Sequence, residues 1–262
     1  MPEGKTLDPG RSMDWGRTSE DYARHRPGPP PEFYERYRSL GIGLRDQRIL
    51  DLGTGTGELA RQFARQGARV CGTDIAAAQV AMARTLAAQE GLAVDFRIAP
   101  GEESPYPDAT FDAITANQCW FYFDARRAIQ DVKRLLGPGG LLAVSHFSAL
   151  PREDPLVRES ERLVLEFNPQ WTGRDWNGYV PPTAKCAERD FTLKAMFWFD
   201  AAIPFTRESW AGRMRACRGI GAALSEEDVR RFDAAHEALL ERIAPERFTV
   251  LHRVNAHVLQ PN

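Results

Sequence analysis

Apolar and polar positions along the chain switch between two periods in a regular order. Short apolar runs at Arg48–Leu52, Ala68–Asp74, Val94–Ile98, Phe111–Asn117 and Leu141–Phe147 predict strands, the first of them branched enough to be buried. Between them the spacing turns helical. Leu59, Phe63 and Ala64 share one face after Gly57; Val80, Ala83, Leu86 and Ala87 share another within Ala76–Glu90, with Gly91 as the stop; and Ile129, Val132 and Leu136 line a helix over 124–136. A helix from Pro31 to Leu40 carries Phe33, Tyr34 and Tyr37, which read as core rather than ligand contacts.

Beyond the fifth strand the rhythm changes. A helix over 155–167 places Leu156, Leu163, Val164 and Phe167 in a stripe, and the glycine-punctuated segment Asn168–Tyr179 carries two tryptophans and a tyrosine, which predicts a cap rather than a plain polar loop. The alternation from Phe191 to Phe199 predicts a long strand covered on both faces. Helices follow over 206–217 and 225–243, the second with Val229, Phe232, His236, Leu239 and Ile243 inward, and a last strand runs from Phe248 to Leu259. His252 and His257 are an odd number apart on that strand, so they face opposite ways and do not form a metal pair. The expected organisation is an N-terminal arm over 1–30, partly disordered, then one domain over 31–262. Within it the core is 48–147, a cap spans about 148–190, and strands and helices fill 191–262.

The chemistry concentrates in Ile49-Leu50-Asp51-Leu52-Gly53-Thr54-Gly55-Thr56-Gly57-Glu58, where an apolar strand ends in three alternating glycines. Without Cβ atoms the backbone takes tight or positive-φ geometry there, and a ligand can lie directly against it. Asp74 ends the second strand, 17 positions after Gly57, where a carboxylate accepts hydrogen bonds from ribose hydroxyls. These features predict an adenosine-type ligand at the carboxyl end of a doubly wound α/β sheet. The segment Gly55-Thr56-Gly57-Glu58-Leu59-Ala60 also fits the dinucleotide pattern, so the turn by itself leaves a nicotinamide cofactor open.

Asp51-x-Gly53-x-Gly55-x-Gly57 resembles the first motif of class I S-adenosylmethionine-dependent methyltransferases, and Val132-Lys133-Arg134-Leu135-Leu136-Gly137-Pro138-Gly139-Gly140 resembles the signature that leads into their fifth strand. The stretch Ala99–Asp108 is similar to their adenine loop, with Pro100 where the usual aspartate stands. The resemblance covers roughly residues 48 to 147 and points to the small-molecule group called type 11. It implies a Rossmann-like, mostly parallel seven-stranded sheet with an antiparallel last strand and a helical, aromatic cap between the fifth and sixth strands. It implies S-adenosylmethionine as cofactor, with Asp51, Gly53, Thr54 and Gly55 toward the methionine part and Asp74 and Ile75 at the ribose. Gly101 and Glu102 would face the adenine, and Asn117 and Gln118 the methyl. In relatives an N-terminal arm folds over the donor, which brings Tyr22 and Arg26 into consideration for its carboxylate or for the acceptor.

A formal net charge of −2 at pH 7 gives no global attraction to a polyanion, so the expected partner is a small molecule rather than nucleic acid. Cys71, Cys119, Cys186 and Cys217 form no C-x-x-C pair, which predicts reduced thiols, no metal site and a cytoplasmic protein, a monomer or homodimer. No run approaches a membrane span. Methyl transfer needs an acceptor held in line, and for a hydroxyl or amine a general base helps; His146, at the mouth of the fifth strand, is placed for it. Arg207, Arg213, Arg215 and Arg218 read either as a clamp for an anionic acceptor or as a solvated helix face. An NAD(P)-dependent oxidoreductase shares the glycine turn and ribose acid but leaves Gly137–Gly140 unexplained. A non-catalytic S-adenosylmethionine-binding protein would be expected to have lost the intact turn. A methyltransferase acting on macromolecules fits neither the charge nor the aromatic segment.

Overall fold

A computed structural model describes residues 13–181 and 189–262. Cys186 and part of the expected cap lie outside these residues. The described chain runs through a 3-10 turn at Trp15–Thr18, α1 (Ser19–His25), α2 (Pro31–Ser39), β1 (Arg48–Leu52), α3 (Glu58–Arg65), β2 (Arg69–Asp74), α4 (Ala77–Gln89), β3 (Val94–Ile98) and β4 (Phe111–Asn117). After α5 (Ala125–Leu135) come β5 (Leu136–Ala149), α6 (Pro155–Phe167), β6 (Phe191–Thr206), α7 (Arg207–Arg215), α8 (Glu226–Ile243) and β7 (Arg247–Pro261).

The strands form one seven-stranded sheet in the order β3-β2-β1-β4-β5-β7-β6. The sheet is mostly parallel, with antiparallel pairing at the last strands, as the resemblance implies. β1 is central to the parallel part: Leu50 pairs with Cys71 on one side and Ile114 on the other. Burial on both faces explains its apolar run, since Ile49, Leu50 and Leu52 are fully enclosed. By contact the chain divides into two compact units. A sheet unit comprises Gly28–Phe147, Val180–Phe199 and Val254–Asn262, and a helical unit comprises Met1–Pro27, Ser148–Tyr179 and Asp200–Arg253.

In the sheet unit, Leu50, Phe111, Ile114, Val132, Leu135 and Leu142 build the main core. Phe33, Tyr34 and Tyr37 of α2 are buried as expected, with the Phe33 ring 4.3 Å from Tyr37 and 6.1 Å from Phe197. Three local readings change. The Gly137–Gly140 phrase belongs to β5 itself, which begins at Leu136 rather than at Leu141. Leu136 pairs with Phe111 and Leu141 with Ala113, and the glycines take up the register shift between them. The strand at Phe191 is longer than its alternation indicates and sits at the sheet edge, so it is not covered on both faces: Leu193 and Trp198 are exposed.

The third change lies in the helical unit, where the buried residues of α6 are Val157, Ser160 and Val164, so that of the expected stripe Leu156, Leu163, Val164 and Phe167 only Val164 is among them. A serine belongs there because its Oγ takes a hydrogen bond from Trp210 Nε1 at 3.0 Å and lies 2.9 Å from His236 Nε2. His236 is accordingly buried on α8, while Ile243 at its end is exposed. The arm contains the helix α1, capped by Arg26, whose guanidinium stacks 4.7 Å above the Tyr22 ring. Among the described residues no helix is long and apolar enough to cross a membrane.

Candidate active site

Five strand ends of the sheet unit converge on one place. β1 hands over to α3 through Gly53, Gly55 and Gly57, all with positive φ, and Gly57 caps α3 in the left-handed region. Thr54 N–H donates to the Thr73 carbonyl at 2.8 Å, which ties the turn to the end of β2. Gly53 is the position where a side chain has no room: a Cβ would stand 2.7 Å from Cys119 Cβ and 2.8 Å from its Sγ.

Asp51 is enclosed at 3% exposure under the turn. Its two oxygens accept from Thr54 Oγ1 and Thr115 Oγ1, both at 2.7 Å, so the carboxylate braces the turn against β4. Burial pushes its acid form up to about 6, against the pull of both threonines. The folded state therefore holds a proton that the unfolded chain has released between about pH 4 and about pH 6. The stability this confers is complete at low pH and is lost as pH rises through about 6. Asp51→Asn has no such titration. Urea unfolding at about pH 4.5 and about pH 7.5 should show wild type losing about 2 kcal/mol more than the variant. Equal losses would contradict a buried, ionising Asp51.

Asp74 ends β2 and is half-buried. Its Oδ2 accepts from Gly55 N–H and its Oδ1 from Ala76 N–H, each at 2.9 Å. Burial raises its pKa and the backbone donors hold it down. Two of about four acceptor positions are taken by these amides, the Ile75 amide adds a smaller contribution, and a carboxylate with positions left over can accept from a vicinal diol. Ile75 beside it is 68% exposed, an apolar surface next to that carboxylate.

At the end of β3, Gly101 is buried and a side chain there would collide with the Phe123 ring. That ring also borders Gly53, within 3.5 Å of where its Cβ would be. Phe123 therefore joins two of the expected site positions, and the sequence reading did not single it out. Glu102 takes the Asp124 N–H at 2.7 Å, while Asp124 in turn caps α5, so one Glu102 oxygen is committed to the loop. The loop is anchored from behind by Arg134, which donates to the Ser104 and Tyr106 carbonyls at 3.1 and 2.7 Å and pairs with Asp131 at 2.7 Å. The arginine in the fifth-strand signature thus has a structural role here.

Past β4, Asn117 Oδ1 accepts from Ser145 Oγ at 3.0 Å, and Gln118, at φ 59, donates its N–H to the Ser145 carbonyl at 2.9 Å. Cys119 donates to the Leu52 carbonyl at 3.1 Å, and burial drives its thiol well above the usual range, so it is an inert packing group. His146 on β5 is half-buried, stacked 5.9 Å from the Phe121 ring and hydrogen-bonded to the Asn255 side chain. Burial and the neighbouring His257 lower its pKa to about 4, so it is neutral at physiological pH. Tyr22 and Arg26 belong to the helical unit. His252 is a satisfied interior residue with Nδ1 3.0 Å from the Val250 carbonyl.

A glycine turn with a carboxylate beside it, set at the carboxyl ends of a doubly wound α/β sheet, is the arrangement in which nucleotide-type cofactors are held in proteins of this architecture. Residues 50–144 match the model of the methyltransferase domain family. Over 122 residues it is 39% identical to the demethylmenaquinone methyltransferase of Thermus thermophilus, an alignment covering 45% of this chain and 56% of that protein. Over 159 residues it is 31% identical to a ubiquinone biosynthesis O-methyltransferase of Alkalilimnicola ehrlichii, covering 59% and 64%. The chain thus spans roughly three fifths of the curated relatives it matches. Among solved structures, a candidate type II methyltransferase of Anaeromyxobacter dehalogenans superposes with a TM-score of 0.57 at 20% identity, covering 89% of this chain and 96% of that one. The MccD protein superposes at 0.52 with 19% identity, covering 90% and 100%. At such identities these two show the fold alone.

Proposed function

We propose that the protein is an S-adenosylmethionine-dependent methyltransferase acting on a small molecule. The observation that carries this reading is the glycine cradle: Gly53 and Gly101 leave bare backbone beside the Phe123 ring, with the Asp74 carboxylate held ready by two backbone amides. That combination fits an adenosine with a compact substituent in place of a second nucleotide. Asp74 would take the ribose hydroxyls with Ile75 beside them, and Gly101 and Glu102 the adenine edge. Gly53, Thr54 and Gly55 would receive the methionine part over the Asp51 brace. Asn117 and Gln118 would flank the reacting end.

When bound, the sulfonium supplies an activated methyl group, so no nucleophilic side chain is required. The protein's work is to hold the acceptor in line and exclude water, worth about 7–11 kcal/mol when the geometry is good. For a hydroxyl or amine acceptor we assign the proton to His146 Nε2 or Nδ1, whichever Asn255 leaves free. Neutrality at physiological pH keeps a lone pair available there. His146→Gln should lower kcat by about 100-fold and leave S-adenosylhomocysteine affinity unchanged; an unchanged kcat would assign His146 to packing against Phe121. Because the His146 proton is lost near pH 4, kcat should show no inflection from it between about pH 6 and about pH 8. The relatives named ubiquinone biosynthesis O-methyltransferases favour an oxygen acceptor. Binding and turnover with S-adenosylmethionine against a panel of phenols test the assignment directly.

A further inference from the structure

The ring that joins the two expected ligand positions also bars the ligand's way to one of them. The turn after β1, the acid at the end of β2 and the loop after β3 lie side by side in the sheet order, so a base seated on Gly101 approaches alongside Gly53 and Asp74. Phe123, in the loop between β4 and α5, reaches into that approach. A Cβ on Gly101 would stand 2.5 Å from Phe123 Cε1 and 2.8 Å from its Cε2, and a Cβ on Gly53 would stand 3.5 Å from its Cζ. Carbon atoms in contact need about 3.5 Å between them. Where a single methyl carbon has no room, a base has none on that side of Gly101 until the ring moves.

The next residue makes a second contact of the same kind. Asp124 donates its N–H to Glu102 Oε1 at 2.7 Å. Residues 123 and 124 thus give Gly101 a flat ring and Glu102 an N–H, the two features that an adenine with its exocyclic amine presents. The loop is fixed at both ends. Gln118 leaves β4 in the left-handed region at φ 59, and Asp124 caps α5 by accepting the Arg126 and Arg127 N–H groups at 3.0 and 3.1 Å. Between these ends Phe123 is half-buried on extended backbone, its ring edge-on to Trp120 at 5.9 Å. A change of χ1 rotamer carries the ring tip off Gly101 and breaks neither end.

We infer that Phe123 and Asp124 form a plug over the adenine position: in the free protein the ring covers Gly101 and the amide holds Glu102, and the incoming base displaces both. The identity of the base rests on the methyltransferase reading; the covering of Gly101 does not. The test is S-adenosylhomocysteine binding to the full chain, by calorimetry for affinity and stopped flow for rates, in wild type, Phe123→Ala and Phe123→Leu. If the plug is open about one tenth of the time, Phe123→Ala should bind about tenfold tighter, with the gain in the association rate and the dissociation rate unchanged. Phe123→Leu, which keeps more of the packing, should fall between and serves alone if the alanine variant does not fold. Unchanged or weaker binding in the variants would overturn the plug, a faster dissociation making Phe123 a wall that supports the base. If none of the three binds S-adenosylhomocysteine but NADH binds, the methyltransferase reading fails, and the same comparison with NADH, which also carries an adenosine, judges the plug. Binding of neither ligand by any of the three would overturn both.

Discussion

Asp74→Ala is expected to weaken S-adenosylhomocysteine binding by at least about 100-fold. The carboxylate does two things at once. Inward it accepts the Gly55 and Ala76 N–H groups at 2.9 Å, which fixes the turn relative to the end of β2. Outward it offers its remaining lone pairs to a diol. A hydrogen bond to a charged group contributes about 1.5–3 kcal/mol, so two ribose bonds amount to about 3–6 kcal/mol, or about 100-fold and upward in affinity. Release of the Gly55 amide adds to the loss by loosening the turn. Asp74→Asn keeps one acceptor oxygen and the local shape and should fall between the two. Calorimetric titration of the three proteins measures this, and a loss below about fivefold in Asp74→Ala would remove Asp74 from the ligand's surroundings.

Gly53→Ala should abolish measurable donor binding and destabilise the fold by about 2–4 kcal/mol. Its φ of 58 is unfavourable for any residue with a Cβ, which costs about 1 kcal/mol. The added methyl then meets Cys119 Cβ at 2.7 Å, a group held in place by the bond from its thiol to the Leu52 carbonyl. Overpacking of that kind adds about 1–3 kcal/mol and must shift either the turn or the loop that carries Phe123. Gly139 provides the control. It has φ 75 but nothing within 4 Å of its would-be Cβ, so Gly139→Ala should cost about 1 kcal/mol and leave binding intact. Denaturant unfolding with parallel titration separates the two substitutions; similar effects at both positions would mean that strain rather than the cradle is being read.

How far the molecule was legible in its sequence follows from the range of the interactions concerned. β1 to β4 and the helices between them were readable because each is set by local period and by burial on both faces. Val94–Ile98 and Phe111–Asn117 have the bounds the pattern predicts. The glycine turn was readable because three successive positive-φ positions favour glycine, and at Gly53 a Cβ would also collide with Cys119. β6 was misjudged because alternation reports two faces but not an edge, and its edge position leaves Leu193 and Trp198 in solvent. The α6 stripe was misjudged because Ser160 becomes a core residue only through Trp210 and His236, 50 and 76 positions away. Phe123 and Arg134 escaped for the same reason: one matters by touching Gly101 and Gly53, the other by gathering the carbonyls of Ser104 and Tyr106. The arginines near α7 looked alike in sequence, and only the fold gives Arg215 its partners Asp21 and Asp233, both at 2.6 Å.

The central claim is that the cradle at Gly53, Asp74 and Gly101 takes a methyl donor. It is tested most directly by titrating the purified wild-type protein in parallel with S-adenosylmethionine, S-adenosylhomocysteine and NADH. The account predicts heat of binding for the two sulfur ligands and none for NADH. Binding of NADH with no response to either sulfur ligand would contradict it and return the glycine turn to a dinucleotide.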